Sequence, residues 1–390
     1  PCGGGALQPR PPCETIDEIA LRFVSIWNPQ FRVRGPAGEE PGEAELLRAI
    51  CQWLDARGIP YESDVAWGLH AELASPGGDP DRPAVLLSAH LDSDCLSGDR
   101  GAMSKITLDA ERRELQFEPQ VGLDCKTGVA IALGVLERLR VGEVPVDFPP
   151  RWRVHVLFTV GEESGQKGAI RAPLPRLLAG RVRHAVVIDR QTGGRRAPQQ
   201  AGRCVRHVVD QYKGVPLLDP RCGGEMMELL RLGMAFAGEA TDRVPAVESP
   251  NCADALELRG RWDAEVLAPR LLQRPGLPPG TRDSLQKALD NYSALTDELR
   301  LAIDRVPPQT RVSSMNANPR KSRYEAMRKV YDVLHGRADV DIEPELWFSC
   351  VNLSYDYCDS RSVCSVVELE ATQNIAIGFL KHYFDSAPAL

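Results

Sequence analysis

The sequence predicts an α/β protein with a mostly parallel central sheet flanked by helices. Short continuous apolar runs at 84–89, 154–160 and 185–188 are typical of strands buried on both faces of a sheet. Between these runs lie stretches with apolar residues at helical spacing, of which 127–139 is the clearest. Alternation of strand and helix along a chain favours parallel strands joined by crossover helices.

Composition excludes several classes of protein. The chain has 390 residues, 43% hydrophobic and 26% charged, as expected of a soluble globular protein with a sizeable core. No apolar run approaches the roughly 18 residues that span a bilayer, and the first residues do not resemble a signal peptide, so we expect no membrane partner. The net charge of -7 without a basic stripe argues against a nucleic-acid partner. Eleven cysteines, an odd number, predict reduced thiols and a cytoplasmic location.

The elements of the first half follow in order. Thr15 and Glu18 form a capping-box pattern at the start of a helix. A second helix is predicted over 44–57, ending at Gly58, and residues 60–73 alternate as a strand or hairpin. A further helix near 169–178 separates the last two buried strands.

The pattern changes after residue 268, where prolines 269, 275, 278 and 279 predict a linker. Helices over 284–303 and 323–334 follow, then a strand at 351–354 and a closing amphipathic helix over 368–383. We therefore expect one domain formed by 14–264 and 341–390, interrupted by a helical insertion at 265–340. Residues 1–13 are predicted to be disordered.

Chemistry-bearing residues stand where the predicted strands end. His90 and Asp92 point to one face of an extended segment, so Asp92 can accept a hydrogen bond from the imidazole nitrogen that faces away from a metal. A buried histidine paired with an aspartate for purely structural reasons is an equal alternative for this pattern alone.

Two further aspartates follow the same rule. Asp124 lies at the entrance of the predicted helix 127–139, where it is either an N-cap or a carboxylate shared by two metals. Asp189 ends the apolar run 185–188 and, taken alone, is a solvated acid.

Glu162 and Glu163 give the sharpest signal. Adjacent carboxylates after a strand repel each other unless a cation or a proton intervenes. One of them can bind a metal while its neighbour acts as general base on the attacking water. The alternative is an acidic first turn of a helix, which the helix dipole favours.

Taken together, these motifs resemble those of the co-catalytic zinc exopeptidase clan, which includes peptidase T, deblocking aminopeptidases, acetylornithine deacetylase and carboxypeptidase G. They occur here in the family's order over 80–265 and 345–385: His90-x-Asp92, Gly122-x-Asp124-x-Lys126, Glu162-Glu163-x-Gly165-x-x-Gly168-Ala169, Asp189 and, more loosely, the segment around Asp254.

The resemblance implies a metal-dependent hydrolase of amide or peptide bonds, either an exopeptidase or a deacylase. Its catalytic residues would be Glu162 and Asp92. The ligands of one or two Zn²⁺ ions, with Mn²⁺ or Co²⁺ as alternatives, would be His90, Asp124, Glu163 and Asp189. A peptide or an acylated amino acid would be the substrate, and a homo-oligomer is compatible with the family.

One departure from the family pattern concerns Arg361, which stands where the last metal-binding histidine is expected. Arginine cannot bind a metal because it stays protonated. Asp356, Cys358 or Asp359 could replace the missing ligand, and two sites of unequal affinity are then expected. The alternative is a catalytically impaired family member that binds a ligand or a protein partner. An unrelated α/β protein would need four ordered coincidences.

Overall fold

Each of the three predicted apolar runs corresponds to a strand of the computed structural model. The structure describes residues 13–26, 28, 33–35, 38–40, 42–77, 83–93, 105–117, 123, 125–163, 165–178, 182–190, 207–209, 211–212, 214–239, 241, 253–305, 318–337, 340–355, 358–359 and 363–386. The strands are β1 Val33–Gly35, β2 Gly38–Glu40, β3 Tyr61–Asp64, β4 Gly68–Ala74, β5 Ala84–His90, β6 Thr107–Asp109, β7 Glu114–Gln116, β8 Arg153–Thr159, β9 Val182–Arg190, β10 His207–Val209, β11 Gln211–Tyr212, β12 Val215–Pro216, β13 Ser349–Tyr355, β14 Cys358–Asp359 and β15 Val363–Ser365.

The helices surround a seven-stranded sheet. They are α1 Ile16–Val24, α2 Ala44–Arg57, α3 Lys126–Val141, α4 Lys167–Arg171, α5 Leu174–Leu178, α6 Gly223–Phe236, α7 Ala253–Arg261, α8 Ala268–Leu272, α9 Pro279–Arg305, α10 Asn318–His335 and α11 Val366–Ser386, with a π-helical segment, Trp262–Leu267, joining α7 to α8. Thr15 and Glu18 exchange the two hydrogen bonds of the predicted capping box, and Gly58 ends α2 in the left-handed conformation.

The strand order of this sheet is β10-β13-β9-β5-β8-β4-β3. Its four middle strands run parallel, whereas β10, β4 and β3 pair antiparallel at the edges. The predicted fold class is therefore confirmed, since a mixed sheet with a parallel centre lies between helices. The carboxyl ends of β5, β8 and β9 meet at one edge, which is where ligand sites of such sheets lie.

Alternation of side chains along the strands builds a hydrophobic core on each face of the sheet. On β5, Val85 and Leu87 join the core formed with α1, α3, α6 and α11. Leu86 instead joins the second core, which includes Trp262 of the π-helical segment and Met327 of α10. The predicted helices of the 265–340 stretch thus share a core with the sheet; that this stretch is a separate insertion stays a prediction.

Three local expectations are wrong. Pro269 lies in the first turn of α8, where its missing N–H is tolerated, and not in a linker. The helix expected near 169–178 is two short helices, because Pro173 interrupts the run of backbone donors. The side chain of His335, expected on the surface, is buried with those of Asp219, Arg259 and Asp263.

Some sequence-based expectations concern residues that lie outside the described ranges. Among these are residues 1–12 of the segment 1–13, which the sequence predicts to be disordered. The six described cysteines that the structure reports as free thiols are Cys13, Cys51, Cys125, Cys222, Cys350 and Cys364. In the described ranges, no helix has both the length and the apolar character that crossing a membrane requires.

Candidate metal centre

His90 and Asp189 meet at the carboxyl edge of the sheet. His90 is the last residue of β5, and Nε2 of its ring lies 3.4 Å from Oδ1 of Asp189 on the neighbouring strand β9. Only 3% of His90 and 5% of Asp189 is exposed. Two ligands that each lie about 2.0–2.1 Å from a tetrahedral zinc ion are separated by roughly this distance. The structure therefore brings together two of the predicted ligands; their role in binding stays a prediction.

Asp92 connects the imidazole to the turn that carries the two glutamates. Its Oδ1 lies 3.2 Å from Nδ1 of His90, and its backbone carbonyl oxygen lies 3.0 Å from the same nitrogen. The backbone N–H groups of Glu162 and Glu163 donate to Oδ1 and Oδ2 of Asp92, both at 2.8 Å. Nδ1 of His90 can therefore carry the ring proton and donate it to Asp92, which leaves the lone pair of Nε2 facing Asp189.

The turn after β8 holds both glutamates near the imidazole. Gly161 and Gly165 have positive φ angles of 63° and 119°, conformations that side chains rarely adopt. Carboxylate oxygens of Glu162 and Glu163 and a ring nitrogen of His90 all lie within 4.8 Å of one another. The paired acids that the sequence singled out therefore face the same histidine.

The electrostatics of the site favour a proton or a cation at Glu162. Burial raises the pKa of the Glu162 carboxyl well above its usual range, and the nearby carboxyls of Asp254, Asp189 and Glu163 raise it further. His90 opposes this shift. Protein atoms surround the Glu162 side chain on most sides, and part of its surface remains accessible to solvent.

Asp254, which the sequence associated only loosely with the site, is part of it. Thr159, the residue of β8 paired with His90 across the sheet, donates through Oγ1 to Oδ2 of Asp254 at 2.6 Å. Asp254 is 3% exposed, and its Oδ1 has no hydrogen-bond partner among the described residues. Burial raises the pKa of Asp254 to about 6, although His90 and the Thr159 hydrogen bond lower it.

Sequence reasoning missed two other residues. Glu43, next to the start of α2, accepts the N–H of Gly161 at 3.1 Å, and burial raises its pKa to about 7. Cys125 precedes α3, and its Sγ lies within 4.8 Å of ligand atoms of both His90 and Asp189. Glu43 carries no sequence signal, whereas Cys125 directly follows the predicted ligand Asp124.

Other predicted residues are structural or lie outside the described part of the chain. Lys126 of the Gly-x-Asp-x-Lys motif is buried, and its Nζ donates to the carbonyl oxygens of Val24 and Ile26 at 2.9 and 3.1 Å. The remaining residues that the sequence analysis singled out lack a described side chain. Asp124, Asp356 and Arg361 lie outside the described residues, and Cys358 and Asp359 are described only as backbone in β14.

The residues present fit a divalent metal. The donor set combines a neutral imidazole with carboxylates, which is the chemistry of zinc sites in hydrolases. The unpartnered Oδ1 of Asp254 adds a buried anionic oxygen next to this set. Since buried carboxylates are costly without a counter-charge, a cation at this position would satisfy the cluster.

Comparisons with known proteins give weak structural matches to peptidases. No protein-family model matches the sequence, and no curated protein matches it. An aminopeptidase from Bacillus cereus is 12% identical, with 95% of this chain and 99% of that chain covered and a TM-score of 0.43. PhTET1-12s, a dodecamer in its crystal, is 12% identical with 94% and 98% covered and a TM-score of 0.46. Human carnosine dipeptidase 1 is 14% identical with 94% and 97% covered and a TM-score of 0.41.

These proteins are of the class that the sequence motifs resemble. At 12–14% identity, these likenesses concern the fold alone.

Proposed function

We propose that the protein is a metal-dependent hydrolase of amide or peptide bonds. The observation that carries this proposal is the arrangement around Asp92, which orients His90 toward Asp189 and holds the backbone of Glu162 and Glu163. Because Asp92 holds both the imidazole of His90 and the turn that carries Glu162 and Glu163, a general base on this turn has a defined position beside the metal ligands.

His90, Asp189 and Glu163, together with Asp124, would hold the metal. A divalent cation held there would act as a Lewis acid on the scissile carbonyl and would lower the pKa of a water molecule. Asp92 would keep the imidazole of His90 in the tautomer and orientation that binding needs.

Glu162 would move the protons of the reaction. As a carboxylate it takes a proton from the attacking water at Oε, and as an acid it delivers that proton to the nitrogen of the leaving amine. The raised pKa of Glu162 suits the second role, while a nearby cation would favour the carboxylate that the first role requires.

Replacement of the base tests this proposal. Glu162→Gln should lower turnover by roughly 10²–10⁴-fold while metal content and thermal stability stay close to those of the unmodified protein. Glu298→Gln is a matched control, because Glu298 is exposed on α9. Free amino groups released from di- and tripeptides and from N-acylated amino acids give the readout. Undiminished hydrolysis by Glu162→Gln would remove Glu162 from its role.

Metal content separates this proposal from its alternative. Elemental analysis of freshly purified protein should find one or two Zn²⁺ ions per chain. Titration of stripped protein should show two unequal affinities or one site, because Arg361 replaces the expected last ligand. A protein without metal and without hydrolysis would instead be an impaired member of the fold that binds a ligand or partner.

The proposal also covers the substrate class, the cellular location and the oligomeric state. A peptide or an acylated amino acid would be the substrate. The cytoplasmic location stays a prediction from the sequence, and a homo-oligomer is compatible with the resemblance to the family.

A further inference from the structure

Cys125 places a sulfur atom among the proposed ligands. Its Sγ, Nε2 or Nδ1 of His90 and a carboxylate oxygen of Asp189 lie within 4.8 Å of one another, and all three residues are buried. Nothing in the proposed reaction requires a thiol at this position. Its closeness to both His90 and Asp189 distinguishes it from the other described cysteines.

Several contacts hold the sulfur in place. The backbone N–H of Cys125 donates to the carbonyl oxygen of Asp92 at 3.2 Å, so the residue is tied to the strand end that carries His90. The thiol donates to the carbonyl oxygen of Ile188 at 3.1 Å, next to Asp189. A Cβ atom at Gly128 would lie 2.4 Å from Sγ, so the glycine leaves the space that the sulfur occupies.

A bound dication would favour the thiolate form of Cys125, because a thiol that coordinates a metal loses its proton. Sulfur also favours Zn²⁺, Co²⁺ or Cd²⁺ over Mg²⁺ and Mn²⁺, which prefer oxygen ligands.

We infer that Cys125 binds the metal through its sulfur, together with His90 and Asp189. This inference rests on the proposed function, since it needs a metal at His90 and Asp189. On binding, the thiol proton leaves to solvent, the hydrogen bond to Ile188 is lost, and a sulfur–metal bond forms without transfer of electrons between the partners.

Cobalt spectroscopy tests this inference without any activity measurement. One equivalent of Co²⁺ added to metal-free protein should give visible d–d bands and an intense near-ultraviolet band from sulfur-to-cobalt charge transfer. Cys125→Ser should keep the visible bands and lose the charge-transfer band. Cys222→Ser is the matched control, because Cys222 is also buried and also directly precedes a helix; it should keep both signals.

Every outcome of these measurements supports or contradicts the role of Cys125 as a metal ligand. Visible bands without charge transfer in the unmodified protein, or a charge-transfer band that persists in Cys125→Ser, would overturn the role of Cys125 and leave the metal site standing. Absence of any cobalt band would overturn the metal site as well. If Cys125→Ser does not fold, X-ray absorption of the unmodified protein with one Zn²⁺ still decides: a sulfur shell near about 2.3 Å is expected, and nitrogen and oxygen near about 2.0–2.1 Å alone would contradict it.

Discussion

At the scale of single residues, Asp92 is the carboxylate on which the centre depends most. Its two oxygens accept from the N–H groups of Glu162 and Glu163, and Oδ1 also faces Nδ1 of His90. Replacing the carboxylate with an amide leaves one oxygen and puts an NH₂ group against a backbone N–H.

We predict that Asp92→Asn weakens zinc binding by roughly 10–100-fold, the usual effect of losing a residue that orients a ligand. Competition with a chromophoric chelator measures the dissociation constant. Asp283→Asn, at an exposed position on α9, is the control and should bind zinc unchanged. Equally tight binding by Asp92→Asn would show that Asp92 does not orient His90.

At the scale of elements, the turn between β8 and α4 is held by close backbone contact. A Cβ atom at Gly168 would lie 2.4 Å from the nitrogen of Val160 and 2.5 Å from the carbonyl oxygen of Trp67. Backbone atoms cannot yield as the end of a flexible side chain can, so only glycine lets α4 approach the strand this closely.

Gly168→Ala should therefore lower the free energy of unfolding by about 1–3 kcal/mol, the range for overpacking a tight site. Urea denaturation gives the value. Gly224→Ala is the control, because nothing lies within 4 Å of the added methyl group and the position is helical. That variant should be unchanged or stabilised by up to about 1 kcal/mol. Equal stabilities for the two variants would disprove the close contact at Gly168.

A buried histidine pair on β4 and β8 makes stability depend on pH. Nε2 of His70 and Nδ1 of His155 are 2.8 Å apart, so the two rings share one proton in the hydrogen bond. Burial lowers the pKa of His70 from 6.5 to about 4; Glu72 and Glu62 oppose this, and Arg176 and Arg153 add to it. Between pH 6.5 and about 4 the unfolded chain thus binds a proton that the folded chain does not.

The free energy of unfolding should consequently fall as the pH drops through this window, by something of the order of 2–3 kcal/mol for this one group. His70→Gln, which keeps a hydrogen-bonding side chain, should show a shallower decline in urea denaturation between pH 7 and 4. His382→Gln, on a partly exposed part of α11, should leave the slope unchanged. Identical slopes for all three proteins would assign the pH dependence to other groups.

At the scale of the whole molecule, a buried ion pair joins the helices of the 265–340 stretch to the layer that covers the sheet. Arg323 of α10 donates to Glu257 of α7 at 2.8 Å, and both side chains are fully buried. Arg323 also donates to Thr296 of α9 at 2.9 Å. These contacts orient α9 and α10 against α7, whose first turn carries Asp254.

Glu257→Gln should cost about 3–5 kcal/mol of stability, because it leaves the guanidinium of Arg323 buried without its counter-charge. The double variant Glu257→Leu/Arg323→Met should recover most of the loss, since it removes both charges. Asp332→Asn breaks the half-exposed pair with Arg328 and should change stability by at most about 1 kcal/mol. A single variant as stable as the control would mean that the pair contributes little to the fold.

Local patterns in the sequence were sufficient for the central strands, for several helices and for the paired acids. The apolar runs of β5, β8 and β9, the cap at Thr15 and the stop at Gly58 depend on neighbouring residues alone, so the chain itself determines them. The carboxyl-end rule for parallel strands also explains why His90, Asp189 and the glutamate pair share one edge.

Only the tertiary structure decided which strands are neighbours and which distant residues reach the site. The order β9-β5-β8 brings Asp189 to His90, and the packing of α7 on that face brings Asp254 to Thr159. Cys125 meets Ile188 across a similarly long stretch of chain. No periodicity encodes such contacts, because they arise from sheet order and from helices packed on a face. The short helix that contains Pro269 was missed for the same reason: burial of Trp262 and its neighbours against the sheet outweighs the local signal of the proline.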